Sequence, residues 1–387
     1  MTIRLLIVDD STFMRVAIRK MVEKDKQISI VGEAKTGQEA VDLAVSLRPD
    51  VITMDIEMPG MNGVEATAEI MKRAPAAIIM VSSLTQTGAK ATFDALDAGA
   101  LDYISKSSSF VQLDIVEIEK DLLEKISFWN DHRKKGIKRA QPSAASALVS
   151  EPQKLTPAPF AALSTPSHVM DITETYLKDP VFRRTRSSAP PQVIVLGVST
   201  GGPRQMIEML SVMPKLRCPL IIAQHMGAAF TGGFAEHLAR KSIHNVFEGK
   251  DRQLLQPGDV VVCPGGQNGW IERTLQGFAL RVSPDPKVTV YPSVDLLFES
   301  AARHCSAAAG VILTGMGGDG TIGAQAMAAK DMPIIVQTPH SCIVGGMPDS
   351  ALRSGCVTQM MSLAEIGVTL GRMAGIPIFE RKQSTPA

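Results

Sequence analysis

A chain of 387 residues with 45% apolar and 20% charged side chains has the length of two domains and enough apolar residues to give each a core. Its formal net charge of +1 provides no overall field for gripping nucleic acid or an anionic membrane. No apolar run approaches the ~20 residues of a membrane span, and the opening Met1-Thr2-Ile3-Arg4-Leu5-Leu6-Ile7-Val8 is too short for a secretory segment, so the expected location is the cytoplasm.

Residues 1–130 alternate strand and helix signals. Strands are predicted at 3–8, 28–31, 51–54, 77–81 and 101–104, and helices at 12–24, 37–47, 64–73, 88–97 and 112–127. Five such repeats predict a doubly wound parallel sheet of flavodoxin-like order, with its site beyond the carboxyl ends of the strands. Asp9 and Asp10 follow the first strand, Asp55 ends the third, Ser82 the fourth, and Lys106 the fifth. Three converging carboxylates repel one another unless a cation sits among them, and hard oxygen donors suit Mg²⁺. This constellation fits transfer of a phosphoryl group onto Asp55, with Mg²⁺ and Lys106 neutralising the developing charge.

These residues resemble the receiver domain of two-component response regulators. The resemblance implies phosphorylation of Asp55 and Mg²⁺ held by Asp10, Asp55 and the backbone carbonyl of Glu57, with Asp9 assisting. It also places Ser82 and Tyr103 at the hydroxyl and aromatic switch positions. Receivers commonly follow the lysine with proline, whereas Ser107 stands here.

Residues 131–190 open with a basic run, His132 to Arg139, and continue rich in Pro, Ala, Ser and Thr. They read as a long disordered linker, whose flexible span is ~40 Å. The β/α alternation resumes in 191–375, with 376–387 as a tail. Strands are predicted at 193–198, 219–224, 259–263, 309–313 and 333–336, and helices at 203–211, 231–240, 295–305, 319–329 and 362–373. Short strand signals between 244 and 291 suggest an antiparallel insertion in a Rossmann-like sheet. All five cysteines, Cys218, Cys263, Cys305, Cys342 and Cys356, lie in this half without a CxxC pair, and read as buried small apolar residues.

Three strings carry chemistry here. Gly197-Val198-Ser199-Thr200-Gly201, at a strand-to-helix turn, fits a nucleophile elbow and equally a phosphate-cradling turn. His225 follows the next strand. Gly315, Gly317 and Gly320 match a dinucleotide fingerprint, but the acid that fingerprint needs at the end of the next strand is replaced by Gln337. Asp319 can instead orient an imidazole, and the glycine turn can offer N–H groups to an oxyanion. His340 also follows a strand, and spacing alone leaves His225 and His340 as rivals.

The strings GVSTGGP, LIIAQHM, FTGGFAEHLA, PSVDLLFESAA, GVILTGMGGDG and SCIVGGMPDSAL, in that order, resemble the catalytic domain of the CheB family of chemotaxis protein-glutamate methylesterases. The resemblance implies Ser199 as nucleophile, His225 as general base and acid, Asp319 as its orienter, the Met316 N–H in the oxyanion hole and Thr200 close by, with no metal in the catalytic domain. It implies methylated glutamates on chemoreceptor cytoplasmic helices as substrate, deamidation of certain receptor glutamines, and a CheA-type histidine kinase as phosphodonor. Neither nucleic acid nor membrane insertion is expected. Departures from the family pattern fall at Gly227, Asn268 and Thr338-Pro339-His340, where they bear on substrate recognition. The competing reading is a phosphorylation-controlled binding module without catalysis.

Overall fold

The computed structural model describes residues 2–83, 85–106, 112–134, 189–284 and 290–374. The predicted linker (except its first and last few residues), Ser107 and the tail at 376–387 lie outside the described residues. The chain forms two doubly wound α/β domains.

The N-terminal sheet comprises β1 (Ile3–Val8), β2 (Ile28–Ala34), β3 (Val51–Asp55), β4 (Ala77–Ser83) and β5 (Asp102–Lys106). All pairs are parallel, in the order β2-β1-β3-β4-β5. Helices α1 (Thr12–Val22), α2 (Gly37–Leu47), α3 (Gly63–Arg73), α4 (Gln86–Ala98) and α5 (Gln112–Lys134) return the chain between strands and cover both faces. Their starts are chemically marked. Ser11, Thr36 and Thr85 each cap the helix that follows, and Asn62 with Glu65 forms a reciprocal capping box.

The C-terminal sheet has seven parallel strands: β6 (Val193–Val198), β7 (Leu220–Gln224), β8 (Asn245–Glu248), β10 (Asp259–Val262), β13 (Ala308–Ile312), β14 (Ile334–Gln337) and β15 (Gln359–Met361). Their order is β15-β14-β13-β6-β7-β10-β8. Every residue of β6, β7, β10, β13 and β14 is buried, as expected of strands covered on both faces. The flanking helices are α6 (Gly202–Val212), α7 (Ala228–Lys241), α8 (Val294–His304), α9 (Thr321–Ala329), α10 (Gly346–Arg353) and α11 (Leu363–Met373).

The predicted insertion divides in two. β9 (Gln253–Leu254), β11 (Asn268–Thr274) and β12 (Gly277–Ser283) form a three-stranded antiparallel sheet in the order β11-β12-β9. β8 instead pairs parallel with β10 as an edge strand of the main sheet, where Val246 is buried. At four residues it is too short for a periodicity to distinguish the two sheets.

Candidate functional site

Both sheets reverse strand order at their first strand, and each reversal opens a crevice at the carboxyl ends. In the N-terminal domain β1 lies between β2 and β3, so Asp9 and Asp10 emerge beside Asp55. One oxygen from each of the three carboxylates lies within 4.8 Å of the others. Lys106 reaches in from β5, its Nζ 2.7 Å from Asp55 Oδ1 and 2.9 Å from Asp9 Oδ2. The Ile56 N–H donates to Asp55 Oδ1 at 2.7 Å, and the Ser11 N–H to Asp9 Oδ1 at 3.0 Å. Burial pushes the Asp55 carboxyl up to about 6; Lys106 opposes that shift and Asp9 adds to it. Burial pulls the Lys106 ammonium down, but the carboxylates of Asp55 and Asp9 hold it above its ordinary value. One ammonium does not balance three carboxylates, and the oxygen donor set fits Mg²⁺. Glu57 lines a cleft of about 520 Å³ with Asp10, Met58 and Asn62. Ser82 is buried and donates to the Gly88 carbonyl at 3.2 Å, in the first turn of α4.

In the C-terminal domain β6 lies between β13 and β7. Ser199 follows β6, His225 follows β7, and Asp319 lies in the loop between β13 and α9. Three adjacent strand ends therefore supply the three residues. His225 Nε2 is 2.8 Å from Asp319 Oδ2, with each side chain 14% exposed. With Nε2 on the acid, Nδ1 is the nitrogen left for Ser199. The serine hydroxyl makes no hydrogen bond to a described residue, a looseness common before substrate arrives. His340 lies in a short 3₁₀ turn (Pro339–Ser341) beyond β14, one strand further away, and is exposed.

The serine turn is built by close approach. Gly201 has φ of +78°, and a β-carbon there would meet the Ile343 side chain at 2.7 Å. A β-carbon on Gly315 would fall 2.8 Å from the Ser199 β-carbon, so only glycine lets this loop lie against Ser199. The N–H groups of Thr200 and Met316 donate to no described residue. From below, the Gln224 amide donates to the Ser199 carbonyl at 3.0 Å, and the Thr314 hydroxyl to the Thr200 carbonyl at 3.0 Å.

Asp319 sits on the N-terminus of α8. Val294 N–H donates to its Oδ2 at 2.8 Å; Asp295 N–H and Gly320 N–H donate to its Oδ1, each at 3.0 Å. The Ser293 hydroxyl is 3.3 Å from Oδ1. Burial pulls the carboxyl upward, but the His225 hydrogen bond and charge and these amides outweigh it and hold the group below its ordinary value. The string PSVDLLFESAA spans this cradle, some 25 residues upstream, but nothing in it pointed to Asp319; the serine cap before an apolar helix was its one legible trace.

Residues 5–116 match the response regulator receiver domain, and residues 194–370 match the CheB methylesterase domain. A protein-glutamate methylesterase/protein-glutamine glutaminase of Saccharophagus degradans is 36% identical over 95% of this chain and 98% of its own. The chain belongs to the CheB methylesterase family. A relative of the same name from Oleidesulfovibrio alaskensis is 38% identical over 94% of this chain and 97% of its own. The crystal structure of the Thermotoga maritima CheB methylesterase catalytic domain is 30% identical, covers 47% of this chain and 98% of that one, with a TM-score of 0.46.

Two of the departures from the CheB pattern have structural places. Gly227 caps α7 with φ of −68°, a backbone that proline also adopts. Asn268 is buried, and its Oδ1 accepts from the Ser293 N–H at 2.8 Å, so it supports the helix end that holds Asp319.

The receiver's Tyr103 is packed against the catalytic domain. Its ring lies 4.9 Å from Phe230, while Phe93 of α4 stacks on Phe234 at 5.6 Å and on His237 at 5.5 Å. Asp97 pairs with Lys241 at 2.9 Å and faces His237 at 3.6 Å. Gly233 permits the close approach of α7 to α4: a β-carbon there would lie 3.3 Å from that of Ala89. The helix so covered begins three residues after His225. Ile343, which lies over Gly201, also packs against the receiver's hydrophobic core.

Proposed function

We propose that this CheB-family chain hydrolyses glutamate methyl esters on chemoreceptor helices through Ser199, His225 and Asp319, under control of phosphorylation at Asp55. The observation that carries the reading is the His225–Asp319 hydrogen bond of 2.8 Å beside a free serine hydroxyl at a glycine-lined turn. In the first half-reaction Ser199 Oγ attacks the ester carbonyl while its proton passes to His225 Nδ1. The oxyanion takes the N–H groups of Met316 and Thr200. Collapse breaks the bond to methoxide, which receives the imidazolium proton and leaves as methanol. Water then attacks the glutamyl-serine ester, gives its proton to His225, and releases glutamate and the restored serine. A receptor glutamine takes the same path with ammonia as leaving group. An oxyanion donor contributes about 10²–10³-fold and acid–base help about 10²–10⁴-fold.

Residues 1–130 serve as the phosphoacceptor domain and 191–375 as the esterase, joined by the 131–190 linker and followed by the tail. Asp10, Asp55 and the Glu57 carbonyl, with Asp9 assisting, would hold Mg²⁺, which would supply charge neutralisation for phosphoryl transfer from a CheA-type kinase. Lys106 holds the acceptor carboxylate in place. Because Tyr103 and α4 lie on α7, a change at Ser82 and Tyr103 on phosphorylation alters the surface that covers the catalytic domain. With a long tether the expected activation is about tenfold, about 1.4 kcal/mol. The protein works in the cytoplasm; among the described residues no helix is long and apolar enough to cross a membrane. The test is methanol release from methylated receptors with and without a small phosphodonor, with Ser199→Ala as control. Receptor binding without methanol release favours the non-catalytic module.

A further inference from the structure

The mechanism leaves one acid beside the triad without a task. Asp295 is the second residue of α8. Its backbone N–H donates to Asp319 Oδ1 at 3.0 Å, and its own Oδ1 accepts from the Gly323 N–H at 2.8 Å. Gly323 is the third residue of α9, a helix whose N-cap is Gly320 and carries no side chain. The third N–H of a helix is one that an N-cap side chain ordinarily satisfies. Asp295 supplies that bond from the neighbouring helix. The two helices are correspondingly tight: a β-carbon on Gly323 would meet the Asp295 carbonyl oxygen at 2.6 Å. Asp319 directly precedes Gly320, so the residue that ties α9 to α8 also fixes the segment carrying the triad acid.

Resting on the triad reading above, we propose that Asp295 is a positioning residue for ester hydrolysis: it caps α9 from outside, holds Asp319 toward His225, and adds its charge to the field that a protonated imidazole experiences. The surroundings leave that field uncluttered. β6, β13 and α9, which pack on α8, carry no ionisable side chains. β11 carries Glu272, paired with Arg281, and Arg273, whose charge acts on Cys305 at the far end of α8. On α8 itself Glu299 stands one turn on from Asp295; from the other elements the ionisable neighbour is Asp319, with His225 beyond it. Burial, opposed by the Gly323 N–H and reinforced by the Asp319 charge, pushes the Asp295 carboxyl up to about 6. Asp295 and Asp319 stand close enough that the pair titrates as a unit.

The experiment compares full-length wild-type protein, Asp295→Asn and Asp295→Ala, each with phosphodonor, by methanol release from methylated receptors across pH. The asparagine carbonyl still accepts from Gly323 but carries no charge. Asp295→Asn should lower plateau kcat by no more than ~5-fold and move the ascending limb of kcat/KM about half to one unit toward acid, because an ionised neighbour no longer stabilises the imidazolium. Asp295→Ala, lacking the cap as well, should lose about 10–100-fold in kcat with little change in KM. An asparagine profile that overlays the wild type overturns the proposal, whether or not the alanine variant folds. So does an Asn variant as impaired as Ala. A wild-type protein that releases no methanol overturns the triad reading itself, which separates the two failures.

Discussion

Replacing Gly233 with leucine probes the regulatory reading where the two domains approach most closely. A β-carbon at 233 would already sit 3.3 Å from the Ala89 β-carbon and 3.6 Å from Phe93 Cε2, so alanine needs a displacement of a few tenths of an ångström. Leucine directs three further carbons into the same gap. Overpacking of that kind costs about 1–3 kcal/mol, which lowers the docked-to-undocked ratio by roughly 5- to 150-fold. An inhibition of about tenfold does not survive most of that range. The free catalytic domain is not harmed, since leucine is the better helix former by about 0.8 kcal/mol. Methanol release without phosphodonor should therefore rise about 3.5- to 10-fold, and stimulation by phosphodonor should shrink toward unity. Gly233→Ala should fall between leucine and wild type. Unchanged basal activity with full stimulation in Gly233→Leu would refute autoinhibition through this face. A fall in both states would instead assign the face to substrate.

Three further outcomes follow from the geometry. His225→Ala should lose about 10³-fold or more in turnover while His340→Ala stays near wild type; the reverse pattern rejects the assignment. Burial holds the His237 imidazole below its ordinary 6.5, opposed by Asp97 and aided by Arg240 and Lys241, so the docked state binds fewer protons than an undocked one. Docking is in full force above about 6.5 and weakens as pH falls below it; unphosphorylated wild type should lose inhibition toward pH ~5.5, and His237→Gln should lose that dependence. Mg²⁺ should raise the melting temperature of wild type by several degrees and that of Asp55→Asn by less, and a small phosphodonor should label only the former; persistent labelling of Asp55→Asn displaces Asp55 as acceptor.

The strand ends were legible because each is a mostly apolar run that stops at a polar residue: Val8 before Asp9, Met54 before Asp55, Val198 before Ser199. Strand order was not. It favours His225 over His340 as the partner of Ser199, since β7 adjoins β6 whereas β14 is separated from it by β13. Spacing along a chain does not encode which strands become neighbours. The Asp319 cradle was hidden for the same reason, being assembled largely from the backbone amides of Val294, Asp295 and Gly320, which any sequence possesses. α10 and β15 escaped notice because eight and three residues carry too little periodicity. The docking faces were present as helical spacings, Ala89–Phe93–Leu96 and Phe230–Phe234–His237, but such stripes first suggest an intradomain core. Here they form one between domains.

All five thiols are buried, and for Cys218, Cys263, Cys305 and Cys342 burial pushes the ionisation up to about 12. Near neutral pH these sulfurs are protonated and shielded, so alkylating reagents and mild oxidants meet almost no thiolate. With all five thiols buried, the natural protein should serve as a cysteine-silent background. A single cysteine placed at Asp97 or Lys241 would be the reactive one, and a dye there reports whether the two domains are together without removing any native residue from the core.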